Sequence, residues 1–224
     1  MSARHIIFDL DGTLIDSAPS ILSGFARALE KHGLKPMCEL TQALIGPPLM
    51  ETLRRISGID DSEILQGLVN DFKFFYDNIG YRETREYPGI TELMRELSAM
   101  GAPLYVVTNK RIIPTRKIID FLSWSKFFRG LYSQDSFDPF LASKAQVLNK
   151  VMQLHRIDSS NGIYVGDTPE DLKASRSNGL HFIGVCWGYG QWGKIELGQV
   201  QFFGNTSDAR FILRKNLVTK PSSS

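Results

Sequence analysis

Asp9 and Asp11 stand one residue apart directly after the apolar run Ile6, Ile7, Phe8. Negative charge at the end of a strand that enters a core is costly unless something compensates it. Two further places repeat the pattern: Thr108 and Asn109 follow "PLYVV", and Asp167 follows "IYVG" with Asp171 four residues on. In open α/β sheets ligands bind beyond the carboxyl ends of the strands, so polar groups placed there are the first to read as functional. Carboxylates gathered at one sheet edge repel unless a hard, oxygen-preferring divalent cation such as Mg²⁺ lies among them. A calcium loop does not explain Asp9 and Asp11, because it would need Asp or Asn at Thr13, Gly at Leu14 and Glu at Ser20. For Asp167 and Asp171 a structural alternative stays open, since an acidic first helical turn complements the helix dipole by about 0.3–1 kcal/mol.

The elements that must hold these residues follow from periodicity. Short apolar runs at Ile6 to Phe8, Leu104 to Val107, Ile163 to Val165 and Phe182 to Val185 read as strands buried on both faces, the habit of a parallel sheet. Between them "ITELMRELSAMG" ends at the C-capping Gly101, "RKIIDFL" is amphipathic, "SKAQVLNKVMQLH" opens at Ser143, and "TPEDLKASRSNG" has Thr168 as N-cap with Pro169 at the first helical position. Alternating strands and helices predict a doubly wound, Rossmann-like α/β sheet. From Ser17 to Glu86 the pattern changes: "APSILSGFARALEKHG", "ETLRRISG" and "SEILQGLVNDFKFFYDNIG" carry apolar residues at helical spacing. The expectation is an all-helical cap over 17–86 inserted into a core built from 1–16 and 87–224, with a hinge where the chain crosses near Asp16 and near Glu86 and Tyr87. Phe72, Phe74, Phe75 and Tyr76 read as the core of that insert, and His32 before Gly33 as a helix terminus. The closing "PSSS" reads as a disordered or vector-derived tail.

Composition bounds the partners. A chain of 224 residues, 42% hydrophobic, buries roughly 70% of the surface its unfolded form exposes. Its 26 basic and 24 acidic residues are interspersed without a basic run, which speaks against nucleic acid and anionic membranes. Cys38 and Cys186 lie far apart in no metal-ligand spacing, as suits a reducing compartment, and no stretch approaches the ~18 apolar residues of a membrane span. The N-terminus runs into Arg4 and a strand without a signal-peptide pattern, so a cytoplasmic location is expected.

Taken in order, "DLDGT", "VVTNK", Lys144 and "GDTPED" resemble the four motifs of the haloacid dehalogenase-like aspartate-nucleophile phosphatases, a match that spans Asp9 to Asp171. The resemblance implies Asp9 as nucleophile and Asp11 as the acid and base that serves the leaving oxygen and then water. It implies Lys144 as the cation that neutralises the phosphoryl group, with Thr108, the Asn109 backbone and the Gly12 loop binding phosphate. Mg²⁺ would be held by the Asp9 carboxylate, the Asp11 carbonyl and Asp167, with Asp171 in support. Family members often have proline after the motif lysine, where this chain has Ala145; Lys144 is preferred to Lys150 because it falls in the first turn of a helix. Lys110 and Arg111 stay open between substrate contact and a wet loop.

Asp11 separates relatives: halide-releasing members lack it because a halide leaves without a proton, and phosphonate-cleaving members lack it and rely on a cap lysine instead. The loop "LIGPPLMETLRR", with Gly46 before Pro47 and Pro48, resembles that of phosphoglycolate phosphatases more than the polar grip of β-phosphoglucomutase-type phosphotransferases. Arg54 and Arg55 read either as charged surface or as partners for a substrate carboxylate. "GVCWGYGQWG" resembles a cleft-bordering loop of the phosphoglycolate phosphatase branch and is no dinucleotide fingerprint. The four histidines share no spacing and take no catalytic role. The expectation is therefore a Mg²⁺-dependent phosphatase, monomer or homodimer, whose cap closes over a small phosphorylated metabolite, phosphoglycolate first. A nucleotidase, a pyrophosphatase and the phosphotransferase are the alternatives, and a phosphoryl-binding module without turnover would normally lack a motif residue.

Overall fold

A computed structural model describes residues 4–193, 200–210 and 213 of the chain; the "PSSS" tail lies outside the described residues. The chain forms two compact units, one from its flanks, through Asp16 and from Glu86 onward, and one from Ser17–Arg85. In chain order the first elements are β1 (His5–Phe8), β2 (Ile15–Asp16), α1 (Ala18–Lys31), α2 (Leu49–Ser57), α3 (Ser62–Asn78) and β3 (Arg85–Glu86). Then come α4 (Ile90–Ala99), β4 (Leu104–Thr108), α5 (Ile112–Phe121), β5 (Phe128–Ser133) and α6 (Lys144–His155). The last are β6 (Gly162–Gly166), α7 (Pro169–Ser177), β7 (His181–Val185) and β8 (Gln201–Phe203).

Six parallel strands form the core sheet in the order β5-β4-β1-β6-β7-β8, and β2 and β3 make a separate two-stranded pair where the chain leaves and re-enters this unit. Every residue of β4 and of β6 is buried, because helices cover both faces of a parallel sheet, and this is why those segments read as unbroken apolar runs. α6 packs Val147, Leu148 and Val151 into one cluster with Ile7, Tyr105, Val107, Tyr164 and Leu172. Each such fully buried side chain contributes about 1.5–3 kcal/mol.

Winding reverses at β1: the chain builds β4 and β5 on one side and β6 to β8 on the other, which opens a crevice at the carboxyl end of β1. Phe8 stands opposite both Val106 and Val165. Asp9, Thr108 and Asp167 therefore leave their strands at one edge of the sheet.

In the other unit, Asp61 caps α3 by accepting from the N–H groups of Glu63 and Ile64. Phe25 of α1 stacks on Phe72 at 5.1 Å and Phe72 on Tyr76 at 5.6 Å. Gly24 lets α1 approach this stack, since a Cβ there would come within 2.8 Å of the Phe72 ring. Phe72, Phe75 and Tyr76 are buried as expected, but Phe74 is 70% exposed. Phe72, Phe75 and Tyr76 lie three and four residues apart on one face of α3, and Phe74 falls on the opposite, outward side. His32 follows the last turn of α1, and Gly33 takes a positive φ of 67° there. No helix among the described residues is long and apolar enough to cross a membrane.

Candidate active site

Asp9 is held at the tip of β1 by its N–H, which donates to the Val165 carbonyl at 2.9 Å. Its carboxylate meets those of Asp167 and Asp171, with one oxygen of each lying within 4.8 Å of the others, and all three residues are buried. The Lys144 ammonium sits among them, 2.9 Å from Asp9 Oδ1 and 2.6 Å from Asp171 Oδ1. Sequence places it there by a local rule: Ser143 caps α6 by accepting from the Gln146 N–H, so Lys144 becomes the first helical residue and points from the helix start into the crevice. Lys150 is exposed farther along the same helix.

Asp171 belongs to a capping box: Thr168 Oγ1 accepts from the Asp171 N–H while Asp171 Oδ2 accepts from Thr168 N–H and Oγ1–H, at 3.0 and 2.7 Å. Its Oδ1 takes Lys144 and the Tyr164 hydroxyl, the latter at 3.2 Å. The two readings of this residue therefore coexist, because one oxygen caps α7 and the other fixes Lys144. Asp167 accepts from Thr13 Oγ1 at 3.1 Å on Oδ1 and from the Tyr189 N–H at 2.8 Å on Oδ2. Gly12 is required beside it: φ is +82°, and a Cβ would run into the Asp167 carboxylate.

Asp11 turns its carboxylate to Lys110, whose Nζ donates to Oδ1 at 2.8 Å with both side chains largely buried. Lys110, left open by the sequence, thus belongs to this edge of the sheet. Thr108 is buried, and its Oγ1 accepts from the Lys110 N–H at 3.2 Å, which leaves the hydroxyl proton to donate elsewhere. Asn109 is exposed and donates its amide to Glu170 Oε1 at 3.4 Å. Arg111 precedes α5 as its N-cap residue. Arg54 and Arg55 are exposed on the helical unit, and Arg54 Nε lies 3.4 Å from Asp60. Thr13, Tyr164 and Tyr189 also serve the cluster, and the sequence reading did not single them out.

Electrostatics set the requirement of the site. Burial raises the Asp9 carboxyl well above its usual range; Lys144 opposes this, and the charges of Asp171, Asp167 and Asp11 add to it. Burial likewise pushes Asp167 up to about 6, helped by Asp171 and resisted by the Tyr189 N–H. For Lys144 burial alone would lower the pKa, but Asp171 and Asp9 outweigh it and hold the amine charged. One ammonium among three buried carboxylates leaves an excess of negative charge, and the donors are all hard oxygens. That donor set fits Mg²⁺, with Asp9 and Asp167 offering lone pairs and Asp171 already spent on its four donors.

A pH test follows. Raised carboxyl values mean that the metal-free folded protein holds more protons than the unfolded chain between about pH 4 and 6, so its stability falls as pH rises through that window. Excess Mg²⁺ should cancel the loss, and the gain in Tm on adding Mg²⁺ should grow from pH 4.5 to pH 7. An equal gain at both pH values would contradict this charge balance.

Residues 6–185 match the haloacid dehalogenase-like hydrolase family. The chain is 28% identical over 196 residues to a 5′-nucleotidase of Pseudomonas aeruginosa, covering 87% of this chain and 88% of that protein. It is 30% identical over 194 residues to a phosphoglycolate phosphatase of Neisseria gonorrhoeae, covering 84% and 81%. A haloacid dehalogenase-like hydrolase of known structure from Streptococcus pneumoniae superposes with a TM-score of 0.81 at 26% identity, over 94% of this chain and 98% of that one.

Proposed function

Because the chain belongs to the haloacid dehalogenase-like hydrolase family and is a phosphoric monoester hydrolase, we propose that it cleaves a small phosphorylated metabolite, phosphoglycolate first among candidates, through an aspartyl-phosphate on Asp9. The observation that carries this reading is Asp9 itself, buried at the sheet's switch point with Lys144 on its Oδ1. Asp9 Oδ2 bonds to phosphorus as the bond to the leaving oxygen breaks, and Asp11 delivers the proton that oxygen needs. Asp11 then takes a proton from the water that attacks the same phosphorus and frees Asp9. Lys144, Thr108 Oγ1, the Asn109 N–H and the N–H groups around Gly12 bear the charge of the phosphoryl oxygens. The Asp9 carboxylate, the Asp11 carbonyl and Asp167 would hold a magnesium ion, which when bound would supply further positive charge for the phosphoryl group. Asp171 keeps Lys144 in place.

The resemblance to the P. aeruginosa 5′-nucleotidase favours a nucleoside monophosphate as the second reading. Phosphate release measured over a panel of phosphorylated metabolites separates the two. We expect kcat/KM for 2-phosphoglycolate to exceed that for any nucleoside monophosphate by about tenfold or more, and release to cease with a chelator and return with Mg²⁺. Undiminished turnover in the chelator would overturn the metal reading, and preference for a nucleotide would replace the substrate. A cytoplasmic location and freedom from membranes and nucleic acid belong to the same proposal.

A further inference from the structure

Trp187 to Gly190, the middle of "GVCWGYGQWG", has no part in the chemistry proposed above, yet this turn after β7 is built around Asp167. A Cβ on Gly188 would collide with the Gly12 carbonyl and the Asp167 side chain, and one on Gly190 with the Asp167 main chain. Glycine at both positions lets the backbone close on that aspartate. Trp187 Nε1–H donates to the Thr13 carbonyl at 3.0 Å, which ties the turn to the loop that follows β1. Between the two glycines, the Tyr189 N–H donates to Asp167 Oδ2 at 2.8 Å. The phenol of the same residue reaches the other way and donates to Asp16 Oδ1 at 2.8 Å. Tyr87 is hydrogen-bonded to Tyr189 as well. Asp16 is the last residue of the core unit before the chain departs, and Tyr87 is the second after it returns.

We propose that Tyr189 is a positioning residue for Asp167: its N–H aims the carboxylate, and its hydroxyl, fixed by Asp16 and Tyr87 at the two chain crossings, holds the turn that carries that N–H. A carboxylate has about four lone-pair sites. Thr13 and Tyr189 take one on each oxygen of Asp167 and leave the others facing the cluster. A carboxylate free to rotate would have to be ordered when the cation binds, and its ordering by Tyr189 in advance raises affinity without adding a ligand. The inference rests on Asp167 being a metal ligand.

The test is Mg²⁺ affinity of the full chain by titration calorimetry, which needs no turnover. Tyr189→Phe removes one hydroxyl and should weaken Mg²⁺ binding about fivefold, the worth of one net hydrogen bond, with Tm close to that of the wild type. Asp16→Ala should weaken it by no more than Tyr189→Phe does, and the double variant by no more than Tyr189→Phe alone, because the Asp16 contact acts through the Tyr189 hydroxyl. In turnover assays the Mg²⁺ activation constant should rise for Tyr189→Phe while kcat at saturating Mg²⁺ stays within about twofold. Unchanged affinity in Tyr189→Phe, or effects that multiply in the double variant, would overturn the inference. Asp167→Asn is the control for the premise: undiminished Mg²⁺ binding there would refute the ligand assignment, a failure distinct from that of Tyr189.

Discussion

Asp9→Asn is expected to lower kcat for a generic aryl phosphate by about 10⁴-fold or more while the protein stays folded. An amide cannot attack phosphorus, and loss of a covalent nucleophile leaves only binding and charge stabilisation to act. The same change removes one of three crowded buried charges. Burial and the neighbouring carboxylates already press Asp9 toward its neutral form, and asparagine is the neutral isostere. Lys144 keeps its other partner, Asp171 Oδ1 at 2.6 Å. The metal-free variant should therefore melt no lower than the wild type. Phosphate release and a thermal melt in chelator check both halves, and retained turnover would remove Asp9 as nucleophile.

Lys144→Met should be the most destabilising single change at this edge. It deletes the cation between Asp9 and Asp171, both buried, and removal of one partner from a buried ion pair costs about 3–5 kcal/mol. Activity should fall by about a thousandfold too, since the phosphoryl charge loses its buried ammonium. Lys144→Arg should not restore function, because the two oxygens at 2.9 and 2.6 Å converge on one point and a planar fork needs a wider seat. Adding Asp171→Asn to Lys144→Met should return part of the stability by discharging the orphaned acid. Urea unfolding of the set decides: an unchanged midpoint in Lys144→Met would mean that the pair is not stabilising.

The strands that place the site were legible because burial on both faces forces unbroken apolar runs, as in β4 and β6. β5 was not, since "FRGLYS" lies at the sheet edge, mostly half-buried, with Arg129 and Gly130 interrupting the run. β8 holds only three residues at the opposite edge. α5 begins at Ile112, earlier than "RKIIDFL" suggests, because Pro114 falls in the first turn, where its missing N–H has no intrahelical partner to lose. The helical unit ends at Arg85, one residue short of the expected boundary. At the site, residue type and strand-end position pointed to Asp9, Asp11 and Asp167, while Lys144 came from the motif resemblance and its place in the first turn of a helix. Tyr189 escaped because a backbone N–H carries no side-chain signature, although glycines on both sides of a residue after a strand are the trace of a close backbone approach. Tyr164 escaped because its hydroxyl sits inside a run that reads as purely apolar.

The central position of β1 has a consequence for how the chain is made. Its neighbours β4 and β6 begin at Leu104 and Gly162, so on the ribosome the first strand emerges long before either partner exists. The stretch between β1 and β4 closes at modest entropic expense, because ring closure grows only logarithmically with length, and the Ser17–Arg85 helices can form locally in the meantime. Acidic residues meanwhile travel apart in water, fully hydrated, and are driven together only after α7 has been translated. Assembly of the reactive edge thus comes late in synthesis, which spares every earlier intermediate the burden of concentrated like charge.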